Sequence, residues 1–128
     1  RPSIMSTIKV GTLLHSDGTT TTQPSIPALD QRMAKAWVNF NGTGTVAIRD
    51  SENVSSITDA GTGNYYVNYS TSLANTNYCV VSANTNTESN NATLLPVTWA
   101  TSSIRVVSRN GSASVMDGSL LNVVVMGG

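Results

Sequence analysis

The sequence predicts an all-β protein: a small antiparallel β-sandwich, jelly-roll-like, with an N-terminal extended arm and one short helix. Three observations predict it. From Lys35 onward, β-branched and aromatic residues recur in short runs with period-two alternation. Clusters of Gly, Asn, Asp and Ser separate about eight such runs at the spacing of a sandwich or barrel. No helical pattern interrupts the series, which argues against α/β folds.

Residues 1–34 read as an arm or connector. Ile4 to Leu14, IMSTIKVGTLL, carries β-branched residues in loose alternation and predicts one or two extended pieces. In HSDGTTTTQPS, Asp17-Gly18 is a turn signal and the threonine run favours extended backbone. Pro24 and Pro27 then punctuate the chain. PALDQRMAKA, Pro27 to Ala36, is the only segment rich in helix formers, with Pro27 suited to a first turn and Ser25 placed as a cap. At about ten residues, such a helix is marginal without packing.

The sandwich is expected over residues 35–128. AWVNF sets Ala36, Val38 and Phe40 on one face and Trp37 and Asn39 on the other. TVAIRD brings Val46 and Ile48 together, and NVSSIT offers Val54 and Ile57 in an imperfect alternation that suggests a bulge. DAGTGN turns the chain into YYVNYS, with Tyr65, Val67 and Tyr69 on one face. NYCVVSANT, TLLPVTWA, SIRVVSR and SLLNVVVMGG complete the set. Pro96 within its run predicts an edge strand or a bulge.

A chain of 128 residues is one domain on size, able to bury roughly two-thirds of its unfolded surface. Only 11% of residues are charged, against roughly 25% in an ordinary soluble domain. Seven basic and seven acidic residues cancel and are scattered. Without a basic stripe to neutralise phosphates, no nucleic-acid partner is expected. Polarity comes instead from Ser, Thr and Asn, a surface suited to β structure and to close association between copies. No apolar run reaches the roughly 18 residues of a membrane span, so no membrane insertion is expected, nor is a secretory signal.

Catalytic chemistry is not expected. His15, the single histidine, sits in a Gly- and Thr-rich stretch with nothing to place it beside a nucleophile. Asp50 and Glu52 share a strand face and could bracket a sugar or a metal, yet they precede an ordinary polar turn. The spacings of metal-binding and phosphate-binding motifs are absent, so neither a metal site nor a cofactor is expected. GTGTVAI and GTGNYY each feed a strand, whereas a phosphate cradle feeds a helix N-terminus. Cys79 is the only cysteine, excluding an intramolecular disulfide, and in YCVV it reads as a small buried hydrophobe. Sequons at Asn41, Asn53, Asn68, Asn91 and Asn110 read as composition in a chain this rich in Asn, Ser and Thr.

A binding surface remains. The longest polar loop, ANTNTESNN from Ala83 to Asn91, supplies Asn84, Asn86, Glu88 and Asn90, and Trp99 follows nearby. An aromatic platform framed by amide and carboxylate groups is suited to a saccharide. Tyr65, Tyr66 and Tyr69 offer a second platform, unless they or Trp99 belong to the core. A different surface arises where a strand is apolar on both faces. Val123 to Met126, VVVM, is such a run, and Trp37 lies opposite Val38 and Phe40. Either residues 1–34 fold back over that far side, or neighbouring copies cover it with Trp37, Val123 and Val125 at the contact.

The string from Lys35 to Arg49, KAWVNFNGTGTVAIR, is followed by NVSSITDAGTGNYYVN from Asn53 to Asn68, and by NTNY from Asn75 to Tyr78. These segments resemble the small C-terminal β domain of phage and prophage tail-fibre-like proteins. MSTIKV and TTTTQPS, between Met5 and Ser25, are similar to the start of short marine-phage proteins that carry this domain. The resemblance implies a virion structural protein, trimeric, assembled in the host cytoplasm. Its outer loops would meet a host-cell saccharide or protein, and residues 5–24 would attach to other virion proteins. It supplies no catalytic residues. Tail fibres proper have a long shaft, which this sequence does not contain. That departure raises the alternative of a head-decoration, cement or head-fibre protein held to the shell by its arm.

Overall fold

A computed structural model of the chain describes residues 6–20, 24–85 and 92–128. Chain contacts divide it into two units, Arg1–Asp30 and Gln31–Gly128. In the first unit the Asp17-Gly18 signal forms its turn: the Gly18 N–H donates to the His15 carbonyl at 2.8 Å, and Gly18 adopts φ +78°. Asp17 Oδ1 accepts from the Thr19 N–H and hydroxyl, both at 2.8 Å. The expected extended pieces form no strand among the described residues. Helix α1 covers only Pro27–Asp30, not the ten or so residues that propensity suggested. Its intended second half belongs to the first strand, where Ala36 is core and Ala34 pairs with Met126. Tertiary pairing overrides the local preference.

The second unit is the predicted sandwich. Among the described residues, eight antiparallel strands form: β1 (Ala34–Asn41), β2 (Ala47–Glu52), β3 (Val54–Asp59), β4 (Asn64–Tyr69), β5 (Tyr78–Asn84), β6 (Thr93–Trp99), β7 (Ser103–Arg109) and β8 (Leu121–Gly127). Sheet A has the order β2-β1-β8-β5, and sheet B the order β3-β4-β7-β6. Three connections (β1–β2, β3–β4 and β6–β7) are hairpins within one sheet, and the other four carry the chain to the opposite sheet.

Alternation builds the core from the four central strands. Ala36, Val38 and Phe40 of β1 and Leu121, Val123 and Val125 of β8 face Tyr65, Val67 and Tyr69 of β4 and Ile104 and Val106 of β7. Phe40 and Tyr65 meet edge to face with centroids 5.3 Å apart, a favoured aromatic geometry. The expected bulge in β3 is a register shift between Val54 and Ser56. Pro96 satisfies both of its expectations: β6 is an edge strand, and its pairing shifts between Pro96 and Thr98. β2 hands the chain to β3 in the opposite sheet through the single residue Asn53, at φ +53°.

Candidate functional site

The two outer faces of the sandwich differ in chemistry, and cross-strand register places their residues. On sheet A, Trp37 pairs with Glu52 on one side and with Val124 on the other, and Val124 pairs with Val81. The next row holds Cys79 beside Met126, which pairs with Ala34. Val81 is 67% exposed, Cys79 is exposed, and Trp37, Val124 and Met126 are half-buried. Above them lies a polar clasp. The Asn39 amide donates to Asn122 Oδ1, and the Arg49 guanidinium donates to Asn39 Oδ1 at 3.3 Å and to the Ser119 carbonyl at 2.6 Å.

Val123 and Val125, expected at a contact between copies, are instead core residues, each 1% exposed. Their parity is inward; the outward residues of the same ribbon are Val124 and Met126. Trp37 does lie on the outer face. Cys79 is likewise a correction, since Tyr78 and Val80 take the inward positions of β5 and leave the thiol outside. The signal for the right parity was Asn122, whose polarity marks the even positions of LNVVVM as outward.

Sheet B shows the other surface. Thr58, Tyr66 and Arg105 lie side by side across β3, β4 and β7, and Thr98 of β6 extends the row. Ser56, Asn68 and Ser103 form a second row, and Asn64 a third beside Val107, which is buried. Tyr65 and Tyr69 are core, so only Tyr66 of the three tyrosines stays on an outer face. Of the expected loop site, the structure describes only Asn84 and Trp99. Asn86, Glu88 and Asn90 lie outside the described residues. Asn84 is half-buried, with its amide donating to the Ser108 hydroxyl at 2.7 Å. Trp99 is 40% exposed and pairs with Ile104. Ser108 and Ile104 are about 13 Å apart along β7, which puts Asn84 and Trp99 toward opposite ends of the sandwich.

Two of the sequons are explained locally by turns. Asn41 Oδ1 accepts from the Thr43 N–H at 3.0 Å and from its hydroxyl at 2.7 Å, and Asn110 Oδ1 accepts from the Ser112 N–H at 2.9 Å. Asn followed two positions later by Ser or Thr is the pattern of such Asx turns. Asp50 and Glu52 sit on the outer side of β2, paired to Asn39 and Trp37. His15 Nδ1 lies 3.3 Å from Asp17 Oδ2, within its own turn. No group of three or more His, Cys, Asp or Glu gathers among the described residues. The fold is a small β-sandwich whose sheet A has apolar outward rows below an Asn39–Asn122–Arg49 clasp. Its sheet B sets polar rows of β3, β4 and β7 beside the exposed Leu95, Val97 and Trp99 of β6. Comparisons with protein families, with curated proteins and with solved structures find no match.

Proposed function

We propose that the chain is a structural protein of a phage virion, a tail-fibre-like or tip protein. Its β-sandwich is displayed for binding to a host-cell receptor, a surface saccharide or protein. The observation that carries this reading is the apolar outer face of sheet A, with Val81, Val124, Trp37 and Met126 in adjacent rows. Val81 is exposed and the other three are half-buried, and a contiguous apolar patch on an outer face marks an interaction site. Copies of the chain cover one another there, as a trimer on the resemblance of Lys35 to Tyr78 to tail-fibre domains. Zero net charge leaves little long-range repulsion between copies. Sedimentation of the full chain tests the assembly. Competition between the free chain and phage particles for host cells tests receptor binding, and no competition at saturating concentration removes that role.

One observation favours a second reading, a head-decoration or cement protein. The first unit exposes apolar side chains, Ile8 at 86% and Val10 and Leu13 each at 61%. Such residues suit docking onto another virion protein. Deleting residues 5–24 then abolishes attachment to particles and leaves cell binding by the free chain unchanged.

A further inference from the structure

The outer face of sheet B carries a chemistry that self-association through sheet A leaves unused. Arg105 is its organising group. The Arg105 Nε donates to Asn64 Oδ1 at 2.8 Å, which fixes the plane of the guanidinium. Its two terminal nitrogens have no protein partner among the described residues. Tyr66 is its direct cross-strand neighbour and the aromatic of that row. On the other side of Tyr66, the Asn68 amide donates to the Ser56 hydroxyl at 3.0 Å and to the Thr58 hydroxyl at 2.8 Å. That arrangement leaves the two hydroxyl protons free to donate outward and Asn68 Oδ1 free to accept.

Charge completes the picture. The only acidic residue in the strands of sheet B is Asp59. Asp59 pairs with inward Tyr65, and its carboxylate accepts from the Gly61 N–H at 3.1 Å. No carboxylate therefore stands in the outward rows to neutralise Arg105. An Arg fork matches a carboxylate in two parallel hydrogen bonds. A single cation in the row is too little for a nucleic acid, which needs a track of them.

The geometry points to the outer face of sheet B, centred on Tyr66 and Arg105, as a binding site for an acidic saccharide, a chain containing uronic acid. The carboxylate lies in the Arg105 fork, a sugar ring rests against Tyr66, and ring hydroxyls meet Asn68, Ser56 and Thr58. This assignment rests on the reading of the chain as a displayed receptor-binding domain, and it moves the saccharide from the Ala83–Asn91 loop to a sheet face.

The test is a nuclear magnetic resonance titration of the isotope-labelled full chain with trigalacturonate, with its carboxyl-reduced neutral counterpart, and with inorganic phosphate. Trigalacturonate shifts the amides of Thr58, Tyr66, Asn68 and Arg105, and the neutral trisaccharide binds about tenfold or more weakly, the expected loss of one charged fork. Arg105→Gln and Tyr66→Ala each lose about tenfold in affinity with their spectra otherwise folded, and Arg105→Lys retains an intermediate affinity. Shifts confined to other surfaces, equal binding by Arg105→Gln, or equal displacement by phosphate overturns the site. Labelling of host cells separates this from the underlying reading. If wild type and Arg105→Gln label cells equally, the site is wrong and display stands. If the wild type binds trigalacturonate on sheet B but labels no cells, the site holds and the receptor role falls.

Discussion

The Tyr65 hydroxyl stands 2.8 Å from Asp117 Oδ1, across 52 positions of the chain. The same carboxylate oxygen accepts from the Gly63 N–H at 2.8 Å, and the phenol is also 2.9 Å from the Gly42 carbonyl. Gly42 in turn donates its N–H to the Gly118 carbonyl at 2.7 Å. One buried phenol thus ties the β1–β2, β3–β4 and β7–β8 connections together. Tyr65→Phe leaves Asp117 short of a donor and should cost about 1–3 kcal/mol in urea unfolding. A loss well under that range would mean that the carboxylate finds water instead.

Alkaline pH should unfold the protein through two tyrosines. Burial, the largest cause, together with the Asp117 hydrogen bond and charge, holds the Tyr65 phenol well above its ordinary 10.0. Burial, then Tyr78, does the same for Tyr69. Above pH 10 the unfolded chain releases these protons while the folded chain keeps them. Stability is therefore fully present below about pH 10 and falls above it, by up to about 1.4 kcal/mol per pH unit for each tyrosine. Urea melts between about pH 8 and pH 12 read the slope. In Tyr65→Phe the slope should be roughly halved, and an unchanged slope would exclude Tyr65 as a source.

Gly63 and Gly44 separate two costs of replacing glycine. Both have positive φ, +65° and +60°. A methyl group on Gly44 meets open space, while one on Gly63 would lie 2.6 Å from the Ser108 carbonyl oxygen. Gly44→Ala should cost only the left-handed strain, about 1–2 kcal/mol. Gly63→Ala adds a backbone collision and should cost about 2–4 kcal/mol. Thermal melts of the two variants side by side decide it, with equal losses counting against the collision.

Much of this fold was readable, and the places where reading stopped share a cause. Alternation alone groups Ala36, Val38 and Phe40 on one face and Tyr65, Val67 and Tyr69 on another, and both faces are the inward ones. It does not choose a side for VVVM, because both parities are apolar, and only Asn122 breaks the tie. Trp99 shows how a bulge defeats counting. The shift between Pro96 and Thr98 moves Thr98 opposite outward Arg105 and Trp99 opposite inward Ile104. The pairing of Arg105 with Tyr66 and the separation of Asn84 from Trp99 depend on which strands neighbour each other. Strand neighbours are set by contacts remote in sequence, to which local periodicity is blind.

Asn53 should be hard to replace. It carries the whole β2–β3 crossing at φ +53°, donates its amide to the Lys35 and Thr71 carbonyls at 3.0 and 3.1 Å, and accepts from the Thr71 N–H at 2.7 Å. Asn53→Gly restores the backbone freedom but not the three bonds. Asn53→Ala loses both and should be the worse by about 1 kcal/mol, with a total cost of about 2–4 kcal/mol in chemical denaturation. Asn53→Gly equal to wild type would show that conformation alone matters here.

The two parities of β8 give the sharpest test of how copies meet. Val123 and Val125 face the core, whereas Val124 and Met126 face outward beside Val81 and Trp37. Val124→Thr, Val81→Thr and Trp37→Ser should therefore weaken self-association while shifting unfolding of the dissociated chain by about 1 kcal/mol or less each. Val123→Ala and Val125→Ala should do the reverse, costing about 1–3 kcal/mol in stability through lost packing, with association altered only as folding fails. Cys79 provides an internal reporter, since its thiol lies on the outer face next to Met126. Its alkylation should slow as protein concentration drives copies together, and Val124→Thr should restore the fast rate. If the thiol reacts at one rate over the whole concentration range while sedimentation shows assembly, copies meet elsewhere than on sheet A.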